Sequence, residues 1–321
     1  MKRAQGVALM LAGAALLAWA GRSYLEPPPL PYEAAPAPAE APPEFVVLSA
    51  AGLAFERIEF RERESHKPLA AGVVARGADG RQAPLAWRNA VTEPILFADA
   101  SAADEAKVLA AVRAHVPQTA VVLSWWDMSR RIRALAGRNA PLDDPAARGL
   151  LFAAAWSGRA DVADNLRGLW SALVPAGDAA AFGKFVDALL ADEATGASVL
   201  AELAGGKEAY VAVHLSDIWK AAAARPDRLS IAYKDFPGGD LHGVVKAARE
   251  WMIQERIEGG FAVEPIGAAV RLHYFPRRAD GDRLLARLLP FSTSNPAALE
   301  RLTLVYQHKG WWIYRLALTT Q

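Results

Sequence analysis

The chain has 321 residues, 53% apolar and 22% charged, which is enough for one large packed body or two small ones. Its net charge of +1 comes from 36 basic and 35 acidic side chains. That balance argues against nucleic acid as a partner, because phosphate binding needs a positive excess on one face. There is no cysteine, so no disulfide, thiolate zinc site, iron–sulfur cluster or covalent c-type haem can form.

Lys2 and Arg3 precede an apolar run from Gly6 to Gly21, the pattern of an export signal. The run, about 16 residues, lies between a signal-peptide core and the roughly 20 residues of a comfortable span. Residues 1–25 therefore read as a signal anchor or transmembrane helix, with the rest of the chain on the periplasmic side of the inner (cytoplasmic) membrane. Ala18-Trp19-Ala20 imitates a cleavage site, so secretion to the periplasm after a cut near Ala20 is the alternative. Residues 26–44 hold eight prolines and read as a linker, an extended spacer that forms neither helix nor sheet ladder.

Residues 45–321 form the body. Phe45–Leu48, Phe55–Arg63, Gly72–Ala75 and Ile95–Ala98 have strand patterns, with a turn at Gly77–Gly80. Ser101 opens an amphipathic helix whose Val108, Leu109 and Val112 face inward, and Pro117 stops it. Thr119–Leu123 is a continuous apolar run of the kind seen in central strands, followed by a helix over Met128–Ala136 that ends at Gly137. Helices are expected over 144–157, 162–173, 179–190, 195–203 and 241–255. Strands are expected over 209–213, 269–274, 302–306 and 312–318. The fold class expected is α/β, a mixed and partly parallel sheet flanked by helices, preceded by a single N-terminal hydrophobic helix.

Ser124-Trp125-Trp126-Asp127 falls at the carboxyl end of a strand, where ligands collect in open α/β sheets. Trp125 and Trp126 offer apolar faces and N–H donors, Asp127 an acceptor, and Arg130 and Arg131 (with Arg133) follow within two turns. These five residues are the candidates for ligand or partner binding, with Trp126 read as exposed. The plainer reading keeps one indole in the core, makes Asp127 a helix cap and leaves the arginines on a solvated face. Ser216-Asp217-Ile218-Trp219-Lys220 reads first as a helix start, and the pairs His214/Asp217 and Asp240/His242 lack a third metal ligand. No catalytic constellation, metal site or cofactor motif is present.

The stretch Ala114–Asp127 resembles the segment around the Trp-Trp-Asp motif in the catalytic subunit of oligosaccharyltransferases, and Asp217-x-x-Lys220 is similar to that enzyme's Asp-x-x-Lys element, except that the hydrophobic residue expected downstream is not at the right distance. The resemblance extends to residues 194–213 and to the C-terminal strands. It implies that Trp125, Trp126 and Asp127 bind an acceptor hydroxyl, although Met128-Ser129 replaces the family's Tyr-Gly. Those enzymes keep their catalytic residues on many membrane helices, and this chain has one at most. A peptide- or glycan-binding module is thus one reading. The other comes from Val-Leu-Ser-Trp-Trp-Asp followed by Ser-Arg-Arg-Ile-Arg, behind a single N-terminal segment and a Pro-rich stretch. This arrangement resembles the hydroxylamine oxidation protein HaoB family. It implies a non-enzymatic, membrane-tethered accessory role beside a multihaem hydroxylamine oxidoreductase.

Overall fold

The computed structural model describes residues 28–317 apart from 50–51, 144–147, 157 and 172–178, together with Gly13, Ala14, Leu16, Leu17 and Gly21. Most of the apolar run 6–21, and with it the expected anchor, lies outside the described residues. Among the described residues no helix is long and apolar enough to cross a membrane.

Four strands form an antiparallel meander: β1 (Tyr32–Ala39), β2 (Ala54–Glu62), β3 (Pro68–Arg76) and β4 (Gln82–Asn89). The first corrects the expected spacer, since β1 pairs with β2 from Tyr32↔Glu62 to Ala39↔Phe55. Proline is tolerated here because β1 is an edge strand. Pro36 and Pro38 are two residues apart, so both turn the side lacking an N–H the same way, outward from the ladder. Tyr32 is buried against Phe60 and Trp156, and its hydroxyl donates to Asn165 Oδ1 at 2.6 Å. The expected strand at 45–48 is instead a short helix, α1 (Pro43–Val46), which buries Phe45 and leaves Val46 and Val47 exposed.

Next come α2 (Ala102–His115), β5 (Val121–Ser124), α3 (Trp126–Arg131), α4 (Ala160–Ser171), α5 (Ala179–Leu189), α6 (Glu193–Leu203), β6 (Ala209–His214) and α7 (Asp217–Ala224). A second antiparallel sheet, ordered β7-β9-β8, contains β7 (Ala232–Pro237), β8 (Phe261–Ile266) and β9 (Ala269–Tyr274). The helix α8 (Leu241–Gln254) packs on it through Ala248 and Met252 against Leu272. After α9 (Leu284–Leu288), β10 (Leu302–His308) and β11 (Trp311–Leu316) complete a third sheet, ordered β10-β11-β6-β5.

This third sheet positions the candidate site. Only β5 and β6 run parallel, so the expected mixed α/β class holds. β5 and β6 read as continuous apolar runs because both faces are covered, whereas the edge strand β10 is largely exposed. Leu123, Val211, Val213, Trp312 and Tyr314 enter the large core shared with β1–β4, whereas Val122, Tyr210, Ala212, Trp311 and Ile313 pack towards α1 and α2. The alternation is the two-residue period of a strand.

Two further expectations need correction. Ile95–Ala98 makes only an isolated bridge, Leu96 with Leu151. Of the helix expected over 144–157, residues 144–147 and 157 lie outside the described residues. The rest is an extended strap with one 3-10 turn at Ala154–Trp156. Gly149, at φ +71°, sits in the left-handed region and breaks any helix there.

If β1 belongs to the body, Tyr32→Phe should cost about 1 kcal/mol and Tyr32→Ala about 3–5 kcal/mol of unfolding free energy. Denaturant titration checks this. An unchanged midpoint in Tyr32→Ala would return residues 32–39 to the status of a spacer.

Candidate functional site

Trp125 is the cap residue between β5 and α3, and the two consecutive indoles diverge from it. Trp125 packs edge-on to Phe182 of α5, with ring centres 5.2 Å apart. Trp126 joins Phe97, Trp170 and Trp87 in an aromatic box with neighbouring ring centres 5.2–6.4 Å apart. Both indoles are 1% exposed, which corrects the expectation of a solvent-facing Trp126. The reason is tertiary: the strap covers them. Trp126 Nε1 donates to the Arg148 carbonyl at 2.8 Å, and Leu151 exchanges two backbone hydrogen bonds with Leu96. Gly149 lies against the Trp125 ring, where a Cβ would collide with it and with the Lys220 carbonyl.

Asp127 does not cap α3. Its carboxylate is 1% exposed and accepts from Lys220 Nζ at 3.1 and 3.2 Å and from Arg131 Nη2 at 3.0 Å. Lys220 also donates to Asp217 Oδ1 at 3.0 Å and stands 5.9 Å from the centre of the Trp125 ring. Asp217 Oδ2 in turn accepts the His214 backbone N–H at 2.8 Å. On the other side, Arg131 pairs with Glu105 of α2 at 3.1 Å and donates from Nε to the Pro84 carbonyl at 2.5 Å. Glu105 Oε2 accepts the N–H of Ala86, which is held at φ +49°. A non-glycine residue in that region costs roughly 1 kcal/mol, so the carboxylate helps to fix the irregularity in β4.

The result is a buried chain, Glu105–Arg131–Asp127–Lys220–Asp217, that ties α2, α3, β4 and α7 together. Burial dominates at Glu105 and Asp217 and raises both carboxyls above their ordinary values. Burial pushes Asp127 the same way, but the Lys220 and Arg131 cations outweigh it and hold Asp127 low. The buried chain holds three carboxyl groups and two cations. His214 lies beside the cluster, its Nδ1 accepting the Ser216 N–H at 3.2 Å. Burial and the Lys220 charge depress this imidazole to about 3.

Arg130 takes a different route. Its guanidinium is buried, pairs with Asp143, donates to the Trp170 carbonyl at 3.0 Å and stacks 4.7 Å over the Trp126 ring. Arg81 reaches the same Asp143 at 2.5 Å. The five sequence candidates are therefore brought together, but as interior groups. Neither plain alternative describes them: both indoles are core, Asp127 is no cap, and Arg130 and Arg131 are not on a solvated face. Ser216–Lys220 does open a helix, α7, and Asp217, Lys220 and Glu105 join the site beyond the five sequence candidates. The Asp-x-x-Lys spacing was the available signal for Asp217 and Lys220. For Glu105 no local signal exists. Asp240 proves to be the cap of α8, accepting the Gly243 N–H at 3.0 Å. Among the described residues no three His, Asp or Glu side chains are placed to hold a metal ion.

A family model described as HaoA-associated protein HaoB matches residues 1–316. The chain belongs to the HaoB family. A search of curated proteins finds no match. The HaoB family match spans both the apolar N-terminal run and the body, and the family's description associates its members with HaoA. It therefore supports an accessory role in hydroxylamine oxidation.

Three outcomes test this site. Lys220→Met leaves Asp127 and Asp217 facing each other without their shared cation and should cost about 3–5 kcal/mol in denaturant unfolding. Gly149→Ala must move the Trp125 ring or the strap, at about 1–3 kcal/mol. Because His214 is depressed in the folded state, the unfolded chain binds more protons between about pH 6.5 and 3. Its contribution is complete above pH 6.5 and lost as pH falls towards 3. Glu105 and Asp217, shifted upward, run the opposite way: their contribution is largest at low pH and fades as pH rises above their ordinary values. His214→Gln should therefore flatten the loss of melting temperature between pH 6.5 and 4. An unchanged slope would remove His214 from the account.

Proposed function

We propose that this chain is a membrane-tethered, non-enzymatic accessory protein that works beside HaoA on the periplasmic side of the inner membrane. The observation that carries the reading is the family match over residues 1–316. Lys2 and Arg3 before the apolar run support export and retention by a single N-terminal helix. The cysteine-free sequence rules out covalent c-type haem on this chain, so electrons from hydroxylamine would travel through the partner. The non-enzymatic part rests on the Trp-Trp-Asp segment. Asp127 and Trp126 Nε1 are engaged by Lys220, Arg131 and the strap, Trp125 Nε1 is buried without a hydrogen-bond partner among the described residues, and no acid, base or nucleophile is offered to a substrate there.

The test is affinity capture of the full chain from native membranes solubilised in mild detergent. HaoA should be recovered with it, identified by mass spectrometry and by c-type haem absorbance in the eluate. The purified chain alone should show no visible absorbance and no hydroxylamine turnover. Recovery without HaoA under several detergents would overturn the partnership. Appearance of the chain in the soluble fraction without residues 1–20 would overturn the tether and leave the partnership standing.

A further inference from the structure

A cavity of about 360 Å³ opens between the β3–β4 turn and the π-helical turn Ile132–Ala136 that continues α3. Leu53, Ala83 and Ala134 give it an apolar floor, and Arg81, Arg130 and Arg133 bring three guanidiniums to its walls. Its size falls within the roughly 300–1,000 Å³ range of small-molecule sites.

Among the described residues guanidiniums outnumber carboxylates around it. Asp143 is shared by Arg130 and Arg81, and Asp79 pairs with Arg81. Arg133 makes no ion pair among the described residues, although its charge reaches Asp79 and helps to hold that carboxyl low. Arg81 uses Nε and Nη1 on Asp143 and Asp79, while its Nη2 donates to no described residue. Among the described residues two carboxylates thus face three guanidiniums, and all three guanidiniums line the one cavity. The deep wall is rigid, because Arg130 is fixed by Asp143, by the Trp170 carbonyl and by the Trp126 ring.

We propose that this cavity binds a small planar anion, its charged end held by the guanidinium fork of Arg133 and by Nη2 of Arg81. A guanidinium fork matches the spacing of two oxygens on a trigonal centre, as in a carboxylate or a nitrate-like oxyanion. The apolar floor suits a short hydrocarbon body behind that end. The inference is independent of the association with HaoA.

The experiment is isothermal titration of the full chain in detergent at low ionic strength, with butyrate, nitrate and acetate as separate probes. Saturable one-site binding is expected, weakened at least tenfold in Arg133→Ala and tightened in Asp79→Asn, which removes the competing carboxylate. Both variants lie at an exposed rim, and their melting temperatures without probe should match the parent chain. Binding of butyrate alone assigns the site to an organic carboxylate. Binding of nitrate alone assigns it to an inorganic oxyanion, and binding of both to the shared planar end. No saturable binding by any probe, or equal binding by Arg133→Ala and the parent chain, overturns the proposal.

Discussion

The contact on which the centre of this molecule depends is that between Lys220 and the two carboxylates of Asp127 and Asp217. Lys220 sits on α7, which follows β6, and Asp127 sits on α3, which follows β5. The pair therefore locks together the two helices that leave the only parallel strand pair of the third sheet. Removing such charges from water carries a cost of several kcal/mol per ion, offset only when each oxygen and proton finds a partner. Here they do. Arg131 extends the same network to Glu105 and, through Ala86, to the irregular strand β4. Replacement by a well-packed apolar set would be neutral or stabilising in many proteins. The network joins α2, α3, α7 and β4 through side chains that lie far apart in sequence.

This arrangement alters the meaning of the Trp-Trp-Asp segment. The resemblance to oligosaccharyltransferases implied indoles and a carboxylate offered to a hydroxyl ligand. In this chain the carboxylate is held by internal cations, the first indole packs on α5, the second stands in an aromatic box, and a strap crosses both. In this structure those residues link α3 to α5, α7 and the strap. Function is carried instead by membership of the HaoB family, a property of residues 1–316 as a whole. The surface feature with chemistry available to it is the arginine-lined cavity beside α3, on which only Arg130 of the five candidates opens.

Much of the fold was legible where periodicity and local chemistry agree. The apolar runs of β5 and β6, the α2 pattern of Val108, Leu109 and Val112, and the left-handed Gly137 after Ile132–Ala136 all follow from residues close in sequence. Four strands escaped. β1 contains prolines that argue against a ladder everywhere except at an outward-facing edge. β4 has a buried register shift that breaks its alternation. β7 and β8 are short, and each relies on β9 for its pairing. The strap read as helical because its composition is alanine-rich. Its bridge to Leu96, 55 positions earlier, has no trace in local pattern.

The sequence by itself determined the export-like N-terminus, the exclusion of thiolate and covalent haem chemistry, the α/β class and the placement of Trp125, Trp126 and Asp127 at a strand end. These follow from composition and from periods of two and 3.6 residues, which any short stretch of chain carries within itself. Only the tertiary structure decided which way those side chains face. Exposure is set by what crosses over a residue, and the groups that cover and neutralise this site, Glu105, Arg148–Leu151 and Asp217–Lys220, come from three separate parts of the chain. A buried ion network is a statement about distances between remote residues, and those distances exist only once the chain has folded.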